Sequence, residues 1–200
     1  YVAGVNGVGA TIGTAVSGGS FVGGLIGEVV GGSIKNAYFD GSVAATSSNY
    51  GGLTGYLRPG AYIHNAYYDV DNSLINSASM VTIGGLYATQ FNEWEQSSAT
   101  ISSRTINIAN YFGASDASGF YSISSNNSVG VSGDLSNVLG FSQNNTDGSA
   151  NSYKFKLTTD LNMATATTPH IPYFGAAEFS GDTFEVLNFS WNAPTSNVGF

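Results

Sequence analysis

The 200-residue chain contains no cysteine, and only 9% of its residues are charged, with five Lys or Arg against 13 Asp or Glu. Without cysteine there are no disulfide staples and no thiolate metal sites. Scarce Lys and Glu remove the residues that clothe long surface helices. A formal net charge of −8 argues against nucleic acid, whose phosphates need clustered Lys and Arg, and against docking on anionic lipid. No apolar run approaches the roughly 18 residues of a membrane-crossing helix, so no membrane-spanning segment is expected. No signal peptide is apparent, because Tyr1 opens inside a strand-like pattern. Ser, Thr, Asn and Gly fill the polar positions instead, as in extracellular β-rich proteins.

What is present is an internal repeat. Phe21-Val22-Gly23-Gly24-Leu25-Ile26-Gly27 returns as Asn49-Tyr50-Gly51-Gly52-Leu53-Thr54-Gly55. Ser33-Ile34-Lys35-Asn36-Ala37-Tyr38-Phe39-Asp40 returns as Tyr62-Ile63-His64-Asn65-Ala66-Tyr67-Tyr68-Asp69, with a spacing longer by a single position. The extra residue falls near Arg58-Pro59-Gly60, which marks a turn. Tyr1-Val2-Ala3-Gly4-Val5 looks like Tyr38 to Ser42, through a longer loop at Gly9 to Ser20. Ser196 to Phe200 reads like the opening of a further unit, so both ends are expected to cut through a repeat.

The period decides the architecture. At about 28 residues it is short for a propeller blade of roughly 40–45 residues, and the regular leucines of a leucine-rich repeat are missing. Helical repeats would lose about 1 kcal/mol at each interior glycine. One turn of a parallel β-helix, with about three short strands, fits the length. Stacking at about 4.8 Å then sets Asn36 over Asn65, Tyr38 over Tyr67 and Leu25 over Leu53, with Asp40 over Asp69 in solvent. The fold expected is all-β, a right-handed parallel β-helix with one or two short surface helices and long loops. Residues 1–75 form the repeats, 76–152 an irregular insertion or linking turns, and 153–200 strands leading into a further repeat.

Within the middle section, Thr89 is expected to cap a short helix through Trp94, and a second helix to run from Asp134 to Leu139 with Gly140 as its stop. Gly113 to Gly133 and Ser142 to Ser152 read as loops. Tyr153-Lys154-Phe155-Lys156-Leu157 is an alternating strand, and Phe179 to Ser190 a strand pair around a turn at Gly181-Asp182.

Gly23-Gly24-Leu25-Ile26-Gly27 and Gly51-Gly52-Leu53-Thr54-Gly55, each followed by Ile-x-Asn-Ala-Tyr, resemble the GLUG repeat of large bacterial exoproteins similar to filamentous haemagglutinin and the high-molecular-weight adhesins. Lys156 to Leu161, Ile171-Pro172-Tyr173-Phe174, Phe179-Ser180-Gly181 and Asn197-Val198-Gly199-Phe200 resemble the lead-in to such repeats. Asp182-Thr183-Phe184 stands where that pattern more often has a glycine-histidine pair. The resemblance implies export by two-partner secretion, an extracellular or bacterial cell-surface location, and a right-handed β-helix.

Several residues are candidates for chemistry. His64 and His170 are far apart, and His64 matches exposed Lys35, so no metal site is expected. Asp69-Val70-Asp71-Asn72 offers alternate oxygens but lacks the glycine and closing glutamate of an EF-hand loop; a turn with solvated carboxylates is the favoured reading. Glu28, Asp40 and Asp69 are the acids that stacking would bring together for polysaccharide cleavage, yet no basic residue is evident beside them and no nucleophile elbow appears. No catalytic residue, cofactor or metal is therefore expected. Asn126, Asn144 and Asn188 head Asn-x-Ser/Thr sequons and are possible glycosylation sites. Among Tyr50, Tyr56, Tyr62, Tyr67 and Tyr68, Tyr67 reads as core and Tyr56 or Tyr62 as exposed. The function expected is a non-catalytic adhesin or stalk whose partners are a host or cell-surface glycan or protein receptor. Copies of the chain itself are the partner if it is instead a filament subunit stacking end to end; a polysaccharide-active β-helix enzyme is the other alternative.

Overall fold

The computed structural model describes residues 15–46, 48–76, 81–126, 129–142, 153–162, 178–180 and 186–187. They fall into two compact units that divide between Arg104 and Thr105. Strands predominate over short helices in the described residues taken together, every strand pairing described is parallel, and no sheet closes into a barrel among the described residues. No helix among them is long and apolar enough to cross a membrane.

The first unit contains β1 (Ala15–Gly18), β2 (Val22–Gly23), β3 (Ile26–Val29), β4 (Gly32–Phe39), β5 (Ser42–Ala45), β6 (Tyr50–Gly51), β7 (Thr54–Leu57), β8 (Ala61–Asp69) and β9 (Gly85–Leu86). Four consecutive strands pair with the next four in the same order: β1 with β5, β2 with β6, β3 with β7 and β4 with β8. The register places Gly23 beside Gly51, Ile34 beside Ile63 and Tyr38 beside Tyr67. Backbone bonds bridge the gap between β2 and β3, from Gly24 N to Gly52 O (3.1 Å) and from Leu25 N to Leu53 O (3.0 Å). The separation between partners grows by single steps along the repeat, from Ala15↔Ser42 through Ile26↔Thr54 to Gly32↔Ala61. The last step is absorbed at Arg58–Gly60, where Ala61 N bonds back to Arg58 O at 3.0 Å and Gly60 takes a φ of 86°. The reading of Gly9 to Ser20 as a loop is corrected over Ala15–Gly18, which is a strand; its Ala-Val-Ser-Gly sequence carries too little apolar signal to declare itself. Residues 1–5 and 196–200 lie outside the described residues.

Glycine is required where the strands approach most closely. A Cβ on Gly24 would run into the Phe39 ring and the Gly52 carbonyl, and one on Gly52 into the Tyr68 ring. Each second glycine of the Gly-Gly-Leu motif is thus the seat of an aromatic ring from the long strand that follows it. Leu25, Leu53, Phe39, Tyr68, Ile34, Ile63, Val29 and Val43 are buried.

In β8, burial alternates through Ala61 and Ile63, then resumes out of phase at Ala66 and Tyr68. The phase shift falls at Asn65, whose φ of 46° lies in the left-handed region; Asn36, the equivalent residue of β4, has 50°. Asparagine tolerates this conformation better than most residues. A left-handed residue adds one position to the strand, re-aiming the apolar residues inward.

Beyond β8 the period shortens. Tyr68 pairs with Gly85, well short of a full repeat further along the chain. Asn76 bridges to β5, with its N–H on Val43 O (2.7 Å) and its Oδ1 taking Ala45 N–H (2.6 Å). Helix α1 (Ala88–Gln96) and a 3-10 turn at Ile101–Ser103 complete the unit. Thr89 does not cap α1: the N-cap is Tyr87, without a side-chain bond. The cap is tertiary instead, because Asp71 Oδ2 accepts from Ala88 N–H at 2.9 Å.

The second unit contains α2 (Ala109–Phe112), β10 (Phe120–Ile123), a 3-10 turn at Leu135–Val138, α3 (Leu139–Ser142), β11 (Lys154–Leu157), β12 (Leu161–Asn162), β13 (Glu178–Ser180) and β14 (Val186–Leu187). β11 lies between β10 and β13, and β12 pairs with β14. Tyr111, Phe112, Ile123, Leu135, Val138, Phe141, Phe155, Leu157 and Leu161 form one core. Three expectations are corrected here. The stretch from Gly113 to Gly133 holds a strand, because Phe120 and Tyr121 supply apolar anchors within a polar composition. Gly140 does not end a helix but lies inside α3; the segment begins at Asp134, whose carboxylate accepts from Ser136 N–H at 2.9 Å. β13 and β14 are not a strand pair: β13 joins the sheet of β11, and β14 pairs with β12. The turn expected at Gly181-Asp182 lies outside the described residues.

Candidate functional site

Side chains of the repeat converge on the β4–β8 pair. Asn65 Nδ2 donates to Asn36 Oδ1 at 2.8 Å and to Ile101 O at 2.7 Å, and Asn65 Oδ1 accepts from Trp94 Nε1 at 2.8 Å. Trp94 is buried; its ring meets Tyr67 edge-on at 5.1 Å and Tyr38 at 6.3 Å. Phe91 lies on the same face of α1, 6.1 Å from Tyr38. The Arg104 guanidinium lies over both Trp94 (5.2 Å) and Tyr38 (5.7 Å). Helix α1 is therefore fastened by one tryptophan to the asparagine and tyrosine of successive repeats. Burial raises the Tyr38 phenol pKa, with Glu95 and Asp40 adding to it and Arg104 opposing. Trp94 and Arg104 were not legible as partners of this cluster, since no local spacing connects position 94 or 104 with Asn65.

The glycines Gly23, Gly51, Gly27 and Gly55 are held by close backbone. A Cβ on Gly23 or Gly51 would overlap the carbonyl of Ile26 or Thr54, and one on Gly27 or Gly55 the backbone of Phe21. They are structural elements of the wall.

Asp69 and Glu28 are each bonded through their carboxylates. Asp69 Oδ1 accepts from the N–H groups of Asp71 (2.9 Å) and Asn72 (3.2 Å), closing a turn. Burial raises the Asp69 pKa, and the two backbone bonds counter it. Glu28 contradicts the expectation that no basic residue stands beside these acids: Arg58 Nη2 pairs with its Oε1 at 2.6 Å. That pairing crosses from β3 to the residue after β7, a contact made by the register of those two strands. His64 sits beside Lys35 on adjacent strands; His170 lies outside the described residues.

Of the sequons, Asn126 is buried and its Nδ2, the atom that would carry a sugar, donates to Asn162 O. Asn144 and Asn188 lie outside the described residues. Tyr68 is fully buried: its hydroxyl accepts from Thr82 N–H at 2.7 Å, and burial pushes its pKa up to about 12. Tyr67 is half-buried against Trp94, Tyr62 is half-buried and Tyr56 is exposed.

Comparison with family models, with curated proteins and with solved structures returns no match.

Proposed function

We propose that this chain is a section of a right-handed parallel β-helix that serves as a non-catalytic stalk or adhesin segment of a secreted or surface-bound bacterial protein. The observation that carries this reading is the run of four successive parallel pairings, each joining a strand to its counterpart in the next repeat. Parallel strands so arranged bury side chains between neighbouring turns of chain, so each turn is stabilised by the next. The residue types support the same reading. Polar outward positions are filled by Ser, Thr and Asn, and Glu28 and Asp71 are committed to Arg58 and to the α1 N-terminus. Such a segment acts by spacing and presenting its outward side chains to a glycan or a protein receptor.

The test is to apply the labelled chain to host-type cells and to a panel of immobilised glycans, following both binding and bond cleavage. The proposal expects saturable binding with no new reducing ends. Released oligosaccharide, or failure to bind any surface, contradicts it.

A further inference from the structure

Successive turns of the repeat end differently at their outer edges. Gly24 N–H donates to Gly52 O of the following turn at 3.1 Å. Gly52 holds the same place one repeat later, yet its N–H donates at 3.1 Å to Oγ1 of Thr82. A side-chain hydroxyl therefore stands where a further turn would offer a backbone carbonyl. Thr82 is fixed there by Tyr68, whose hydroxyl oxygen accepts from Thr82 N–H at 2.7 Å and from Thr82 Oγ1 at 3.1 Å. β5 is finished in the same way. Asn76 N–H donates to Val43 O, as the backbone of a neighbouring strand would, but the acceptor for Ala45 N–H is Asn76 Oδ1. The side chain supplies the carbonyl, and Asn76 itself has a left-handed φ of 52°, outside the range of a strand. β8 is met by β9 at Tyr68 and Asp69, and the chain then enters α1 at Ala88. β7 pairs only with β3 among the described residues and runs into Arg58-Pro59, where proline has no N–H to offer another strand.

We infer that Asn76, Thr82 and β9 cap the outer edge of β5, β6 and β8, and so keep a second copy of this chain from adding its strands there. Exposed strand edges recruit other strands through their backbone N–H and C=O groups, and charged side chains are a common guard against it. β5, β6 and β7 read Ser-Val-Ala-Ala, Tyr-Gly and Thr-Gly-Tyr-Leu and carry no charge. Protection at this edge falls to the bonds of Asn76 and Thr82 instead. A second copy is the matched intruder, because its repeat has the parallel spacing that β1–β4 already find in β5–β8. The cap is an autoinhibitory contact within the fold. It goes beyond the stalk reading, since it acts whatever the chain binds.

The experiment is sedimentation velocity of the whole chain across a wide concentration range, with circular dichroism establishing that each variant is folded. Thr82→Val removes the hydroxyl at nearly constant shape, and Asn76→Gly removes the side-chain carbonyl while keeping a residue that tolerates φ > 0. The double variant is expected to self-associate at concentrations about tenfold below any at which the wild-type chain does so. Thr82→Ser retains the wild-type behaviour. Gly24→Ala strains the same unit with the cap intact, and it too is expected to sediment as the wild type, which separates an opened edge from lost stability. Adding Ala44→Lys on the exposed side of β5 to the double variant is expected to restore wild-type sedimentation. Should the double variant not fold, Thr82→Val alone carries the same expectation. Folded variants no more associated than the wild type, equal association in Gly24→Ala, or association unaffected by Ala44→Lys overturns the inference.

Discussion

The carboxamide of Asn65 donates to that of Asn36 at 2.8 Å while accepting from the indole of Trp94 at the same distance. One residue thus joins two repeats to each other and a helix to both. Trp94→Phe keeps a ring against Tyr38 and Tyr67 but leaves Asn65 Oδ1 without that donor. The expected loss is about 1–3 kcal/mol, as for other orphaned buried acceptors. Urea unfolding monitored by far-ultraviolet circular dichroism reads it.

Gly24→Ala and Gly52→Ala are expected to destabilise the first unit by roughly 1–3 kcal/mol each through overpacking, because the new methyl meets the Phe39 or Tyr68 ring. Gly19→Ala is the matched comparison. A Cβ there meets nothing within 4 Å, so the change is expected to stay within about 0.5 kcal/mol. Equal losses at all three positions would contradict the close-approach account.

Alkaline titration reports on Tyr68. Its pKa is raised from 10.0 to about 12 in the folded chain, so the unfolded chain ionises first. The stabilisation is complete below pH 10 and is lost as pH rises from 10 toward 12. Tyr68→Phe is expected to flatten the fall in melting temperature over that window, at some cost from the lost contact with Thr82.

At the acid end the informative group is Asp116 in the second unit. The hydrogen bond from Lys156, aided by the Phe120 N–H, lowers its pKa from 3.8 to about 2. A depressed carboxyl stabilises above its unfolded value, and that contribution is lost as pH falls from 3.8 toward 2. Asp116→Asn is expected to remove this part of the acid sensitivity, read from melting temperature against pH.

The core of the second unit is tested at Phe155, which is fully buried and 5.0 Å from the Phe112 ring. Phe155→Ala is expected to cost about 3–5 kcal/mol, measured by chemical denaturation.

The parts of the fold that were legible in the sequence are those whose cause is local. Gly24 and Gly52 recur because each turn needs the same clearance for an aromatic ring, so the spacing could be read without knowing the ring. Asn36 and Asn65 recur for a backbone reason, a left-handed step that shifts the apolar phase. What failed to declare itself depends on distant partners. Gly84-Gly85-Leu86 repeats the Gly-Gly-Leu signature, yet Gly85 pairs with Tyr68, much nearer in the chain than a full repeat, and composition gives no hint of the shortcut. Helix α1 begins at Ala88 because Asp71 caps it from across a turn, where a local reading favours Thr89. Phe120–Ile123 is a strand because β11 accepts it, and its Ser-rich surroundings conceal that. In the candidate site, Asn65 and Tyr67 stood out through repetition, whereas Trp94 and Arg104 occur once and leave no pattern.

The most direct test of parallel pairing between successive repeats uses the absence of native cysteine. Ile26 and Thr54 are register partners, and directly paired residues fall within the Cα separation a disulfide spans. Ile26→Cys with Thr54→Cys is expected to cross-link within the monomer under mild oxidation. Ile26→Cys with Tyr56→Cys, displaced along the same face, is expected to remain reduced. Cross-linking of the displaced pair alone, or of neither pair, would contradict the account.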